Sequence, residues 1–222
     1  HLSLHLSYTR KEFQKALECK GYYESDNSGL LTNLYKGAYV GVFEDGSVMI
    51  TEDVKNAYRK LHSKEFEKEC DKRSFILYCL ETAKQLYGIV PIEIFTELVN
   101  QQDRDNLSWK EIQQILQEIP VEYMEFIIRN NRLYHKKFWP DDKGLLSTQG
   151  DKGYYIPTKA EIVDIGMRGY LSEDKYMQKF QKYLITQLDA MEDEARFAAR
   201  MIWRLICGDY GMQAVYDVLE VL

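Results

Sequence analysis

The apolar positions of this chain fall into short runs spaced three and four apart, broken at glycines and prolines, a pattern that predicts a mainly helical protein. Thr9 and Glu12 have the spacing of a capping box, and Phe13, Ala16 and Leu17 share one face of the helix expected behind them, which ends near Gly21. The stretch "LLTNLYKGAYVGVFEDGSVMIT" then changes character. It is rich in glycine, tyrosine and β-branched residues, and Asp45-Gly46 marks a hairpin whose return strand is Val48 to Ile50. Thr51 is placed to cap a helix with Val54, Ala57, Tyr58 and Leu61 on its inner face. From Ser63 to Arg73 opposite charges recur four apart, which predicts a solvated helical face. Phe75, Leu77, Tyr78, Leu80, Ala83, Leu86 and Tyr87 carry that helix on, largely buried, to Gly88.

Gly88 stops the helix and Pro91 suits the first turn of the next, whose apolar face is Ile92, Phe95, Leu98 and Val99. Ser108 and Glu111 form a second capping box, ahead of Ile112, Ile115, Leu116 and Ile119. Tyr123 to Ile128 and Leu133 to Phe138 read as two strands around Arg129-Asn130-Asn131-Arg132. Three helices followed by a hairpin is the order of a winged helix. Pro140 to Gly153 reads as an exposed linker, and Pro157 precedes another helix. Beyond Ser172 the pattern is all-helical. One stripe is Tyr176, Phe180, Tyr183, Leu184, Leu188 and Met191, and a second is Ala195, Ala198, Ala199, Ile202, Leu205 and Ile206. Gly208 breaks the pattern, and Met212, Val215, Leu219 and Leu222 close it. The expected fold is mainly α with small β-hairpins. It divides into a helix–hairpin–helix module over 1–62, a winged-helix-like module over 63–145 and a C-terminal helical segment over 146–222.

Charge narrows the partners. Acids outnumber bases by 35 to 29, for a net charge near −6. A general nucleic-acid binder usually carries a basic surplus, so phosphate binding would need a local patch. The hairpin tip and its exit supply what reads as the only one: Arg129, Arg132, His135, Lys136 and Lys137. These are the candidate nucleic-acid or partner contacts. The helix that would enter a groove, Ser108 to Glu118, has Lys110 and three glutamines but no arginine to reach guanine or phosphate. No run approaches the roughly 20 apolar residues that cross a bilayer, so no membrane partner is expected. His1 to Ser7 lack the form of a signal peptide, and a cytoplasmic location is expected.

Chemical motifs are sparse. Cys19, Cys70, Cys79 and Cys207 form no CxxC pair and read as reduced, mostly buried thiols; a cysteine nucleophile with His62 or His135 as its base is the sharper alternative. The chain has no GxxxxGK[ST], GxGxxG, HExxH or GxSxG. Asp141-Asp142, Asp189 with Glu192, Asp193 and Glu194, and Glu161 with Asp164 read as solvated acids rather than metal ligands. No cofactor, metal or catalytic residue is expected. The 17 tyrosines read either as amphipathic core filler or as a contact surface.

The segments "LYGIVPIEIFTELVNQ", "NNRLYHKKF" and "GYYIPTKAEI", with Tyr170 following, resemble an uncharacterised family from Firmicutes and their mobile elements. Longer members carry a Rho-N-terminal-like or a SEC-C zinc tail. The cysteine-rich signature of that tail is missing from this sequence, so no zinc site is carried over. The resemblance covers roughly Lys84 to Leu222 and implies an architecture rather than an activity. Taken together, the expectation is a non-enzymatic protein-binding regulator or inhibitor, one version of it encoded by a phage or mobile element. The alternative is a nucleic-acid-binding winged-helix regulator.

Overall fold

A computed structural model describes residues 7–25, 31–35, 37–101, 106–119, 121, 124–140, 143–150, 153–169, 171, 174–207 and 212–220. The fold is mainly helical with two small antiparallel sheets. The chain divides into two compact units, His1–Leu77 and Tyr78–Leu222.

In the first unit, helix α1 (Ser7–Glu18) is followed by a short helix α2 (Thr32–Tyr35), the hairpin β1 (Gly41–Val42) and β2 (Val48–Met49), and helix α3 (Glu52–Leu61). Helix α4 (Lys64–Leu86) begins in this unit and ends in the next. The hairpin turns where Asp45-Gly46 predicts: Gly46 takes φ +82°, and Phe43 N–H donates to Ser47 at 3.0 Å. Phe13, Leu31, Leu34, Val48 and Ile50 form the core, with the Phe13 ring edge-on to Tyr58 at 5.6 Å. Two expectations fail here. Thr9 lies inside α1 rather than at its cap, and Glu12 is spent elsewhere. On α3, Val54 and Tyr58 face the core as expected, but Ala57 and Leu61 are exposed and Lys55 is buried instead, its ammonium reaching the Cys19 carbonyl just past α1 at 3.0 Å. A cation satisfying the open carbonyls at a helix C-terminus is favourable.

Glu12 is buried at 4% exposure and accepts from Lys15 Nζ at 2.6 Å, Tyr23 Oη at 2.8 Å and Ser25 Oγ at 3.2 Å. These donors, Lys15 foremost, hold its carboxyl below the usual range. A depressed carboxyl stabilises the fold above its unfolded pKa of about 4.3, and the gain is lost as pH falls through the folded value. Glu12→Gln is therefore expected to cost about 1 kcal/mol at neutral pH. Urea unfolding of both proteins should show that gap closing as pH falls below the usual carboxylate range. A gap independent of pH would contradict the assignment.

In the second unit, α4 closes at Gly88 (φ +67°), whose N–H donates to Ala83 at 3.0 Å. A strand that the sequence does not announce follows, β3 (Ile89–Pro91), and Pro91 then caps helix α5 (Ile92–Val99). Helix α6 (Trp109–Gln117) begins at the predicted Ser108–Glu111 capping box, with both of its hydrogen bonds present. Strands β4 (Phe126–Arg129) and β5 (Arg132–His135) complete a three-stranded sheet in the order β3-β5-β4. The order is thus helix, strand, helix, helix and hairpin, with the first strand pairing on the far edge of the last. Strand β5 stops at His135, and Lys136–Phe138 coil into a single 3-10 turn instead of extending the strand.

The expected linker contains a helix, α7 (Lys143–Gln149). It is held by the Gln149 amide donating to the Tyr87 and Ile89 carbonyls at 2.8 and 3.2 Å. Helix α8 (Lys159–Arg168) starts at a capping box made by Thr158 and Glu161. It lies close on α4: a Cβ on Gly166 would sit 2.5 Å from Tyr78 Cβ. Helices α9 (Lys175–Gln187), α10 (Glu192–Cys207) and α11 (Met212–Leu219) form the C-terminal segment. No helix among the described residues is long and apolar enough to cross a membrane. Tyr123, Asp141, Asp142, Tyr170, Gly208 and Leu222 lie outside the described residues.

Candidate functional site

The β4–β5 hairpin turns on Asn130 and Asn131 at φ 48° and 55°. Left-handed backbone at both central positions is what a two-residue type I′ turn demands, and asparagine tolerates it. The register then sets Arg129 directly across from Arg132. Two like charges on the last rung repel unless solvent or an anion screens them. The Arg129 guanidinium lies 4.9 Å from the Trp139 ring centroid, and Arg132 donates to Tyr154 Oη at a long 3.5 Å. Among the described residues neither has a carboxylate partner. Lys136 and Lys137 are exposed just beyond the strand.

His135 does not belong with these cations. Its ring is half-buried, edge-on to Phe126 at 5.5 Å and to Phe138 at 6.2 Å, and its Nδ1 accepts the Lys137 N–H at 3.4 Å. Burial lowers its pKa, so the ring is neutral at pH 7 and adds no charge to the wing. Of the five candidate residues the structure sets Arg129 and Arg132 side by side at the hairpin tip, while Lys136 and Lys137 follow the other end of β5. Alongside, α6 buries Ile112, Ile115 and Leu116 and turns Lys110, Gln114 and Gln117 outward. Its outer face is polar and carries little charge.

A second surface lies on the C-terminal helices. Ala195, Ala198 and Ala199 bring α10 against Met177 and Leu184 of α9, with Phe180 and Trp203 packed beside them. The buried stripe of α9 is thus Met177, Phe180 and Leu184. The expected stripe is wrong at its other members: Tyr176 and Tyr183 are 66% and 54% exposed, and Leu188 and Met191 are exposed as well. Asp189 turns the chain at φ 52°, and Met191 and Phe197 stand at 67% and 63% exposure just after it. Ile185, Met212 and Tyr216 add to the apolar surface. The second stripe is buried at Ala195, Ala198, Ala199 and Ile202 as predicted.

The tyrosines divide between both readings. Tyr58, Tyr78, Tyr87 and Tyr134 are core, and Tyr22, Tyr35, Tyr155, Tyr176, Tyr183 and Tyr216 are exposed. Cys70 and Cys79 are buried, which raises both thiols and keeps them protonated, the reverse of what a nucleophile needs. A cleft of about 790 Å³ in the first unit is lined by Gln14, Cys19, Lys55, Tyr58, Arg59 and His62. Three of its polar side chains have partners: Lys55 donates to the Cys19 carbonyl, Arg59 lies against the Glu52 carboxylate, and His62 Nδ1 lies 3.1 Å from the Glu67 carboxylate; Lys20 also lines the cleft.

No family model, curated protein or solved structure matches this chain.

Proposed function

We propose that this chain is a non-enzymatic, protein-binding regulator or inhibitor, and that the α9–α10 turn with its neighbouring helix faces is where it meets its partner. The observation that carries the reading is the exposure of Leu188 and Met191 at the α9–α10 turn and of Phe197 on α10. Each large apolar side chain withdrawn from water on binding contributes about 1.5–3 kcal/mol. A role on a phage or mobile element extends the resemblance carried by the segment from Leu86 to Gln101. The test is titration of the purified partner with the parent chain and with Met191→Glu/Phe197→Glu. The double variant should bind far more weakly with unchanged thermal stability; equal affinity would discard the surface.

A second reading, nucleic-acid binding by the winged-helix-like module, is favoured by one observation: the paired arginines at the wing tip without carboxylate partners. Arg129→Ala/Arg132→Ala should then weaken binding to mixed-sequence duplex DNA. It should also reduce the dependence of log affinity on log salt by roughly two phosphate contacts, about 0.9 each. An unchanged salt slope would remove the wing from any nucleic-acid interface.

A further inference from the structure

The sequence of α9, "KYMQKFQKYLITQ", contains three lysines and no acid. Lys175, Lys179 and Lys182 are spaced four and three apart, so at 3.6 residues per turn they fall within an arc of about 60° and span about 10 Å of axis. Tyr176 and Tyr183, seven apart, border the same arc, and Thr186 lies inside it. All six are exposed. Several basic side chains on the other described helices meet acids: Arg73 with Glu69, Lys84 with Glu81 and Glu125, Arg168 with Asp164, Arg196 with Glu192. Among the described residues no carboxylate pairs with the three α9 lysines, and Lys175 sits over the Tyr176 ring at 5.0 Å. An acid-free face of this kind is unusual in a chain of net charge −6.

We propose that the outer face of α9 binds the phosphate backbone of a single-stranded nucleic acid, with Tyr176 and Tyr183 offering rings on which bases stack. Lysine rows interleaved with exposed aromatic rings are the recurrent composition of such sites, since every base has a face to stack while the phosphates meet the cations. An acidic polypeptide would use the lysines but gain little from the rings. A membrane surface is disfavoured because the apolar side of α9, Met177, Phe180 and Leu184, is packed against α10 and cannot insert. The lysine face is distinct from the protein-contact surface, which is made by Leu188, Met191 and Phe197.

The test is fluorescence anisotropy of the full chain with a short, labelled, mixed-sequence single-stranded DNA, titrated between roughly 50 and 200 mM salt. Binding should weaken as salt rises. Lys175→Gln/Lys179→Gln/Lys182→Gln should weaken it at least tenfold and lower the salt slope by about 0.7 for each phosphate no longer neutralised. Tyr176→Ala/Tyr183→Ala should weaken it at least tenfold with little change in slope. Met191→Glu/Phe197→Glu should leave it near the parent value, which separates this site from the protein-contact surface. Helix content by circular dichroism should match the parent in every variant. No binding at the lowest salt overturns the proposal, as does parental binding by the triple variant. Loss confined to Arg129→Ala/Arg132→Ala would give the oligonucleotide to the wing and overturn it too. Binding of labelled polyglutamate in preference to DNA would overturn it in favour of an acidic polypeptide.

Discussion

Gly88→Ala is expected to destabilise the protein by about 2–5 kcal/mol, a large effect for a single methyl group. Two costs add. Gly88 takes φ +67°, where an L side chain is strained by roughly 1–2 kcal/mol. The new Cβ would also overlap the Phe138 ring and approach Leu145 Cδ2 to 3.0 Å, and over-packing costs about 1–3 kcal/mol more. Relief by local movement is limited, because the Gly88 carbonyl accepts from His135 N–H at 2.8 Å and thereby helps position the wing. Gly46→Ala is the internal control. Gly46 has φ +82° but nothing within 4 Å of its Cβ position, so only the backbone cost applies, about 1 kcal/mol. Urea unfolding followed by circular dichroism measures both. Equal losses at the two positions would contradict the packing around Gly88.

The largest effect on binding is expected from Met191→Glu/Phe197→Glu, a loss of at least about 100-fold in affinity for the protein partner. Removing two exposed anchors forfeits about 3–6 kcal/mol of apolar burial, of which part is offset by the ordering cost of binding. Two glutamates would further have to be desolvated against an apolar partner surface. The fold should not notice: both side chains are mostly in water, and glutamate is a good helix former. A nearly unchanged Tm therefore accompanies the loss. Weakened binding together with a collapsed Tm would point instead to a structural role for Phe197.

Local signals in the sequence located the elements whose cause is local. Gly88 as a helix stop, Ser108 with Glu111 as a cap and Asp45-Gly46 as a turn each act through their own backbone, and each stands where the spacing puts it. What was illegible depends on distant partners. Strand β3 is three residues without alternation, and it exists because Ile89, Val90 and Pro91 pair with Tyr134, Leu133 and Arg132. Helix α7 has the composition of a loop and is fixed by Gln149 reaching Tyr87 and Ile89. Lys55 is buried because a carbonyl of another element needs it, and periodicity is silent about that.

The surfaces divide in the same way. Arg129 and Arg132 face each other because two asparagines turn between them, a local signal. His135 loses its charge to burial between two phenylalanines, a tertiary effect. On α9, Tyr176 and Tyr183 repeat at seven residues, and so do Met177 and Leu184. Apolar spacing fits either pair to the core. The lysines at 175, 179 and 182 break the tie by marking the outer face, and reading charge together with hydrophobicity along this helix would have found it.

If the chain works by holding another protein on its exposed C-terminal helix surface, that protein should be trapped there in cells. A photo-crosslinking amino acid placed at Phe197, with the same group at Gln114 on the outer face of α6 as a control, is the measurement to make. The expected result is a discrete adduct with one protein from position 197, absent from position 114 and abolished when Met191→Glu is added. An adduct yield at position 197 no higher than at position 114, or adducts only at position 114 and only with nucleic acid, would contradict the protein-binding role.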